Sequence, residues 1–220
     1  MKILIKNGMI VSDSETYQAD ILIEDEKVKW IGTDLPKTDV DTVIDAEGKY
    51  VIPGAIDVHT HMDIDVGIAR AVDDFYDGTV AAACGGTTSI VDHMGFGPAG
   101  VPLHYQFNEY KKLTEGKAVI DYGFHGVAQH VDDDIIAELE TMAEDGIPSV
   151  KLYLTYGFKL NDAEVLQILK KMKEIGGVTA FHCENHELVE YMKKKLVEEG
   201  KTAPIYHAKS RPNLVEAEAV

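Results

Sequence analysis

Two histidines two residues apart, His59 and His61, are where this sequence first offers chemistry. They sit in Gly54-Ala55-Ile56-Asp57-Val58-His59-Thr60-His61, which reads as a short buried strand. A strand's side-chain period of two sends His59, His61 and Asp57 to one side and Ile56, Val58 and Thr60 to the other. Neutral imidazoles on adjacent pleats can grip one metal ion from one direction. Such a pair also arises through ordinary packing, so its weight depends on further ligands. Lys151 and His182 are the candidates. In Ser149–Thr155, alternation sets Lys151 and Tyr153 against Val150, Leu152 and Leu154. If the apolar set faces helices, Lys151 faces inward. A buried, unpaired ammonium costs several kcal/mol, so this lysine must be paired, neutral or modified. In Val178–Cys183, His182 has the opposite sense to Phe181 and Cys183. Zn²⁺ accepts neutral imidazole, and a two-metal site needs a bridging anion. A neutral lysine amine that takes up CO₂ becomes a carbamate able to form that bridge. Taken singly, each residue has an ordinary reading, as a satisfied strand-end polar group or as a lysine paired with a carboxylate.

The elements that must position these residues alternate from Gly54 onward. Strands are predicted through His59 and at Thr87–Asp92, Asp121–Val127, Ser149–Thr155 and Val178–Cys183. Helices are predicted near 73–84, 103–115, 132–144 and 187–199, with a last one beginning near Asn213. The clearest follows Asn161-Asp162-Ala163-Glu164, a capping-box pattern, with Val165, Ile168, Leu169 and Met172 on one face and Gly176-Gly177 as the stop. Five β-α units imply a parallel sheet. The fold class is therefore α/β, with a (β/α)₈ TIM-type barrel ahead of a doubly wound sheet. In a barrel the strand C-terminal ends form the active site, which aims His59, His61, Lys151 and His182 at one mouth. Residues 1–52 read as the N-terminal part of a small β-sandwich domain, with a hairpin at Glu24–Lys27 and a second strand pair turned at Glu47-Gly48. Residues 53–220 hold the five barrel units. A barrel needs eight strands, so truncation of a longer protein is the expectation, since a five-strand arc would leave raw edges.

Composition narrows the partners. The 220 residues are 45% hydrophobic and carry a formal charge of −17. That excess of acid argues against a broad basic face for nucleic acid or anionic membrane. Two cysteines make no disulfide framework. The segment Met1–Lys6 is too short and too charged for a signal peptide, and no run approaches ~18 apolar residues, so a cytoplasmic protein is expected.

Beyond spacing, the chain resembles the amidohydrolase superfamily, in its dihydropyrimidinase and hydantoinase branch. The matching stretches are Pro53–Met62, Asp73–Thr79, Gly85–Asp92, Asp121–His125, Ser149–Tyr156, His182–Asn185 and Glu199–His207. The resemblance implies two divalent metal ions, zinc foremost, with His59 and His61 on one, His182 on the other and a carbamylated Lys151 between them. It implies hydrolysis of a cyclic amide, opening a dihydropyrimidine or hydantoin ring to an N-carbamoyl amino acid by a metal-activated hydroxide. Tyr156 would lie over the substrate ring and help hold the oxyanion, with Tyr153, Ile64 and Val66 as further substrate contacts. Asp65-Val66 stands where the family often has Pro-Phe, which leaves the ring substituent open. The family's remaining metal histidine and its catalytic aspartate come from strands six and eight, beyond these five units. A homo-oligomer, tetramer or dimer, is implied for the full-length protein. The remaining histidines, His93, His104, His125, His130, His186 and His207, are read as structural or surface residues. Rival readings are an allantoinase- or dihydroorotase-type hydrolase, a non-catalytic assembly homologue, and an inactive fragment. Against dihydroorotase, Arg70 is the sole arginine before Arg211 and falls in a loop.

Overall fold

A computed structural model describes residues 1–220, which divide into two compact units, Met1–Gly54 and Ala55–Val220. In the first unit, β1 (Lys2–Val11), β2 (Thr16–Glu24), β3 (Lys27–Gly32), β4 (Thr42–Asp45) and β5 (Tyr50–Val51) form one five-stranded sheet. The β2–β3 hairpin turns through Asp25 and Glu26, both at positive φ, the backbone that a tight two-residue antiparallel turn requires. The expected pairing of the strands around Glu47-Gly48 is not formed. Instead β4 and β5 each pair in parallel with β1, β4 along its first half and β5 along its second. The Ala46–Lys49 turn is thus a jog between two segments that run the same way. What permits it is a bulge in β1, where Asn7 takes a φ of 63°. A Cβ at Gly8 would lie 2.5 Å from Val51 Cγ2, so only glycine lets β5 approach. Ile10, Ala19 and Ile21, with Ile5, Ile23 and Val51 against them, form this unit's small core.

The second unit alternates β6 (Ala55–Thr60), α1 (Phe75–Cys84), β7 (Thr87–His93), α2 (Leu103–Thr114), β8 (Asp121–Val127), α3 (Asp133–Glu144), β9 (Ser149–Tyr153), α4 (Asp162–Ile175), β10 (Val178–His182) and α5 (His186–Glu198). Two short helices follow, α6 (Ile205–Lys209) and α7 (Asn213–Ala219), of which α6 was not anticipated. The strands are parallel and lie in sequence order, β6-β7-β8-β9-β10. A doubly wound sheet reverses its order at a switch point; this one never does, so the sheet winds as a partial barrel. Helix placement agrees. Ile90, Phe124, Val150 and Leu152, from the outward pleats of three strands, pack with Phe75, Tyr110, Ile135, Leu139, Met142, Ile168 and Met172 from four helices. Outward burial of Val150 and Leu152 leaves Lys151 and Tyr153 on the concave face, as alternation requires.

Local signals set the helix ends. Asp74 and Asp132 cap α1 and α3, and at α4 the Asn161 amide accepts from Ala163 and Glu164 while Glu164 reaches back to the Asn161 N–H. Gly176 ends α4 in the left-handed region, φ 70°. β6 and β10 each keep one unpaired edge, and Ile56 and Val58 on β6 are 62% and 63% exposed. No helix is long and apolar enough to cross a membrane.

Candidate metal centre

The end of β6 is set by a carboxylate on the neighbouring strand. Asp92, fully buried on β7, accepts from Thr60 Oγ1 at 2.6 Å and from the Met62 N–H at 2.9 Å. Pinning residues 60 and 62 to the outer side turns His59 and His61 inward. The register shifts between Asp57 and Thr60, which lie opposite Ile90 and Asp92. The simple alternation expected from Asp57 through His61 is therefore interrupted, and Asp57 accepts the His59 backbone N–H at 3.2 Å. Burial raises the Asp92 carboxyl to about 6 against the two hydrogen bonds that favour its charge.

The two predicted imidazoles meet with ring centroids 4.8 Å apart, edge to face. A third ring joins them. His93, fully buried at the end of β7, lies 4.7 Å from His61 and 5.4 Å from His59, and His125 lies 5.6 Å from His59. His93 was read from sequence as structural; its place beside the pair was not anticipated. The signal was available in Thr87–His93, where Ile90 and Asp92 point outward and so send Val91 and His93 inward. His125 bonds the Val58 carbonyl through Nε2 at 2.6 Å and Ser149 Oγ through Nδ1 at 2.5 Å, which fits a structural role.

Lys151 enters from β9, its Nζ 5.6 Å above the Tyr153 ring. Burial lowers its pKa. Burial, then the charges of Lys151 and His61, lower His59 to about 4; burial and Lys151 lower His61; burial, with His61 and His59, lowers His93 to about 3. His59, His61 and His93 are thus biased toward the neutral imidazole, beside a lysine biased toward the neutral amine. That is the protonation state in which these groups ligate a cation, so the donor chemistry fits a metal. No three His, Cys, Asp or Glu side chains form a ready-made coordination shell.

His182, on β10, pairs in register with Tyr153 and shares its concave face. Its ring stacks on Tyr153, centroids 5.6 Å apart and planes at 21°. His182 Nε2 lies 2.7 Å from Glu184 Oε2, and Arg211 Nε bonds Glu184 Oε1 at 3.1 Å. Neither Glu184 nor Arg211 was assigned a site role from sequence: Glu184 lies two residues from His182, but Arg211 reaches it from 27 residues away. β9 stops two residues short of the expected Thr155, and Tyr156 turns the chain at φ 73°, a costly conformation for a bulky side chain. This puts the Tyr156 hydroxyl, on a side chain open to solvent, 3.5 Å from His182 Nε2. Ile64 and Val66 stand on a loop closed by backbone bonds from Asp63 to Asp73, Ala71 to Ile64 and Val66 to Ala69. Arg70 is occupied within that loop, its Nη2 2.7 Å from Asp63 Oδ1.

The parallel, in-order βα sheet is part of a TIM-type barrel with imidazoles and a lysine gathered at its strand ends. The amidohydrolase family model matches residues 50–218, and the chain belongs to that family. It is 51% identical over all 220 residues to D-phenylhydantoinase of Escherichia coli O1:K1, covering 48% of that protein. Among solved structures, a D-hydantoinase superposes with a TM-score of 0.95 at 42% identity, across 100% of this chain and 48% of the other. Dihydropyrimidinase from Brevibacillus agri gives 0.95 at 44%, with the same coverage. L-Hydantoinase from Arthrobacter aurescens gives 0.84 at 27%, across 99% of this chain and 48% of the other. The similarity to hydantoinases and dihydropyrimidinases bears out the branch that the motifs pointed to. The chain spans about half the length of the curated relatives it matches.

Proposed function

We propose that the protein carrying this chain hydrolyses a cyclic amide, opening a hydantoin or dihydropyrimidine ring to an N-carbamoyl amino acid. The observation that carries this is the gathering of His59, His61, Lys151 and His182 on the concave face at the strand ends. His59 and His61 would hold one divalent ion and His182 the other, with Lys151, as its carbamate, between them. Two ions so held, zinc foremost, would supply an activated water at neutral pH and a Lewis acid for the ring carbonyl. The chain's own residues then orient the reaction. Tyr156 presents an exposed phenol O–H beside His182, and this O–H would donate to the carbonyl oxygen as it gains negative charge. Water adds to the ring carbonyl carbon, the carbon–nitrogen bond breaks, and the leaving nitrogen takes up a proton. Ile64 and Val66 would bound the ring substituent from their loop.

Within these 220 residues no arginine is left free to meet an acidic ring, which favours a neutral one. Both arginines are spent on carboxylates, Arg70 on Asp63 and Arg211 on Glu184, so neither is free for the carboxylate of a dihydroorotase-type substrate. The same reading carries a cytoplasmic location and a homo-oligomer for the whole protein. Its test is ring opening of hydantoin and of dihydrouracil by the zinc-loaded protein, followed as appearance of the carbamoyl product. Turnover that is lost on chelation and restored by zinc is expected. A protein that binds zinc stoichiometrically and opens neither ring would refute the assignment.

A further inference from the structure

Tyr153 ties together three strands of the candidate centre. Its hydroxyl is 2.9 Å from His93 Nε2 on β7, its ring is stacked on His182 of β10, and Lys151 of its own strand sits over its face. Phe158 closes on the ring edge-on, centroids 5.0 Å apart. The side chain is 7% exposed. Its hydroxyl is engaged with His93, and its ring is packed by His182, Lys151 and Phe158.

His93 depends on that bond. It is fully buried, and its other nitrogen, Nδ1, has no partner. Without the Tyr153 hydroxyl both nitrogens of this buried ring would be unpaired, and the ring would gain by turning. His93 cannot turn alone, because it packs against both His61 and His59.

We infer that Tyr153 is a positioning residue of the centre: its hydroxyl fixes His93, which backs His59 and His61, and its ring fixes the plane of His182. The inference rests on the metal-centre reading above, and it gives this tyrosine a role beyond the substrate contact that the resemblance implies. Outer partners that orient ligating imidazoles are typically worth 10–100-fold in metal affinity.

The test is zinc affinity of the full-length protein, measured by chelator competition, alongside KM on zinc-saturated enzyme. Tyr153→Phe keeps the ring and removes the bond to His93. It is expected to weaken zinc binding about ten-fold while leaving KM near the wild-type value. His93→Leu removes the same bond from the other end and should lose a similar factor. The double variant should be no weaker than either single one, since the two act through one contact. A raised KM with unchanged zinc affinity in Tyr153→Phe would return Tyr153 to the substrate and overturn the inference. Wild-type zinc affinity in His93→Leu would do the same, and stands even if the phenylalanine variant fails to fold. A wild-type protein that binds no zinc would overturn the metal centre and the inference with it, an outcome distinct from zinc binding indifferent to Tyr153.

Discussion

Asp92 gives the sharpest quantitative test of how the fold aims His59 and His61. Its carboxylate is fully buried, accepts two hydrogen bonds from the end of β6, and leaves Oδ1 without a partner. Burial outweighs those bonds and raises the group from 3.8 to about 6. The folded chain therefore holds this proton more tightly than the unfolded chain does. Stability attributable to Asp92 is intact below the unfolded value and is lost as pH rises from about 4 to about 6. At about 1.4 kcal/mol per pH unit, the gap is worth about 3 kcal/mol. Asp92→Asn removes the ionisation and keeps an oxygen able to accept from Thr60 and Met62. Urea unfolding of both chains at several pH values between 4 and 7.5 separates this term from the other carboxylates. The variant should gain about 2–3 kcal/mol on the wild type across that range, whatever its offset at pH 4. A stability difference that stays flat with pH would show that Asp92 is not held against its charge, and that the β6 clamp works differently.

Other consequences follow from the same geometry. Lys151→Ala should lose two-metal binding and ring opening, with activity partly restored by small carboxylates that stand in for the bridge; full activity with two metals bound would refute that role. Tyr156→Phe should lower kcat by about 10²–10³, the cost of one oxyanion donor, and leave thermal unfolding unchanged, because its hydroxyl makes only the 3.5 Å contact to His182. Leu152→Ala, at a fully buried position in the core that joins the sheet to its helices, should cost about 2–5 kcal/mol in denaturant unfolding.

Much of the barrel half was legible because its signals are local. The Asn161 capping box and the Gly176 stop bracket α4 in sequence as they do in space. Alternation in Ser149–Tyr153 placed Val150 and Leu152 outward, which left Lys151 inward. The first unit was less legible. Glu47-Gly48 has the residues of a hairpin turn, yet the strands beside it pair with β1, across about 40 residues, and nothing local records that choice. β2 extends back to Thr16, and its Thr16–Asp20 stretch lacks the apolar run that marks Ile21–Ile23, so its start was not legible. In the site, His59 and His61 were visible through their spacing. His93 was not, because its role depends on Asp92 facing the other way and on Tyr153 two strands along. Glu184 and Arg211 likewise find each other only through the fold.

The central claim is that these side chains hold metal, and crystallography of the zinc-supplemented full-length protein at the zinc absorption edge tests it most directly. The account predicts two anomalous peaks on the concave face, one on His59 and His61, one on His182, with density extending from Lys151 between them. Absence of anomalous signal at His59 and His61 in protein that has taken up zinc would contradict it.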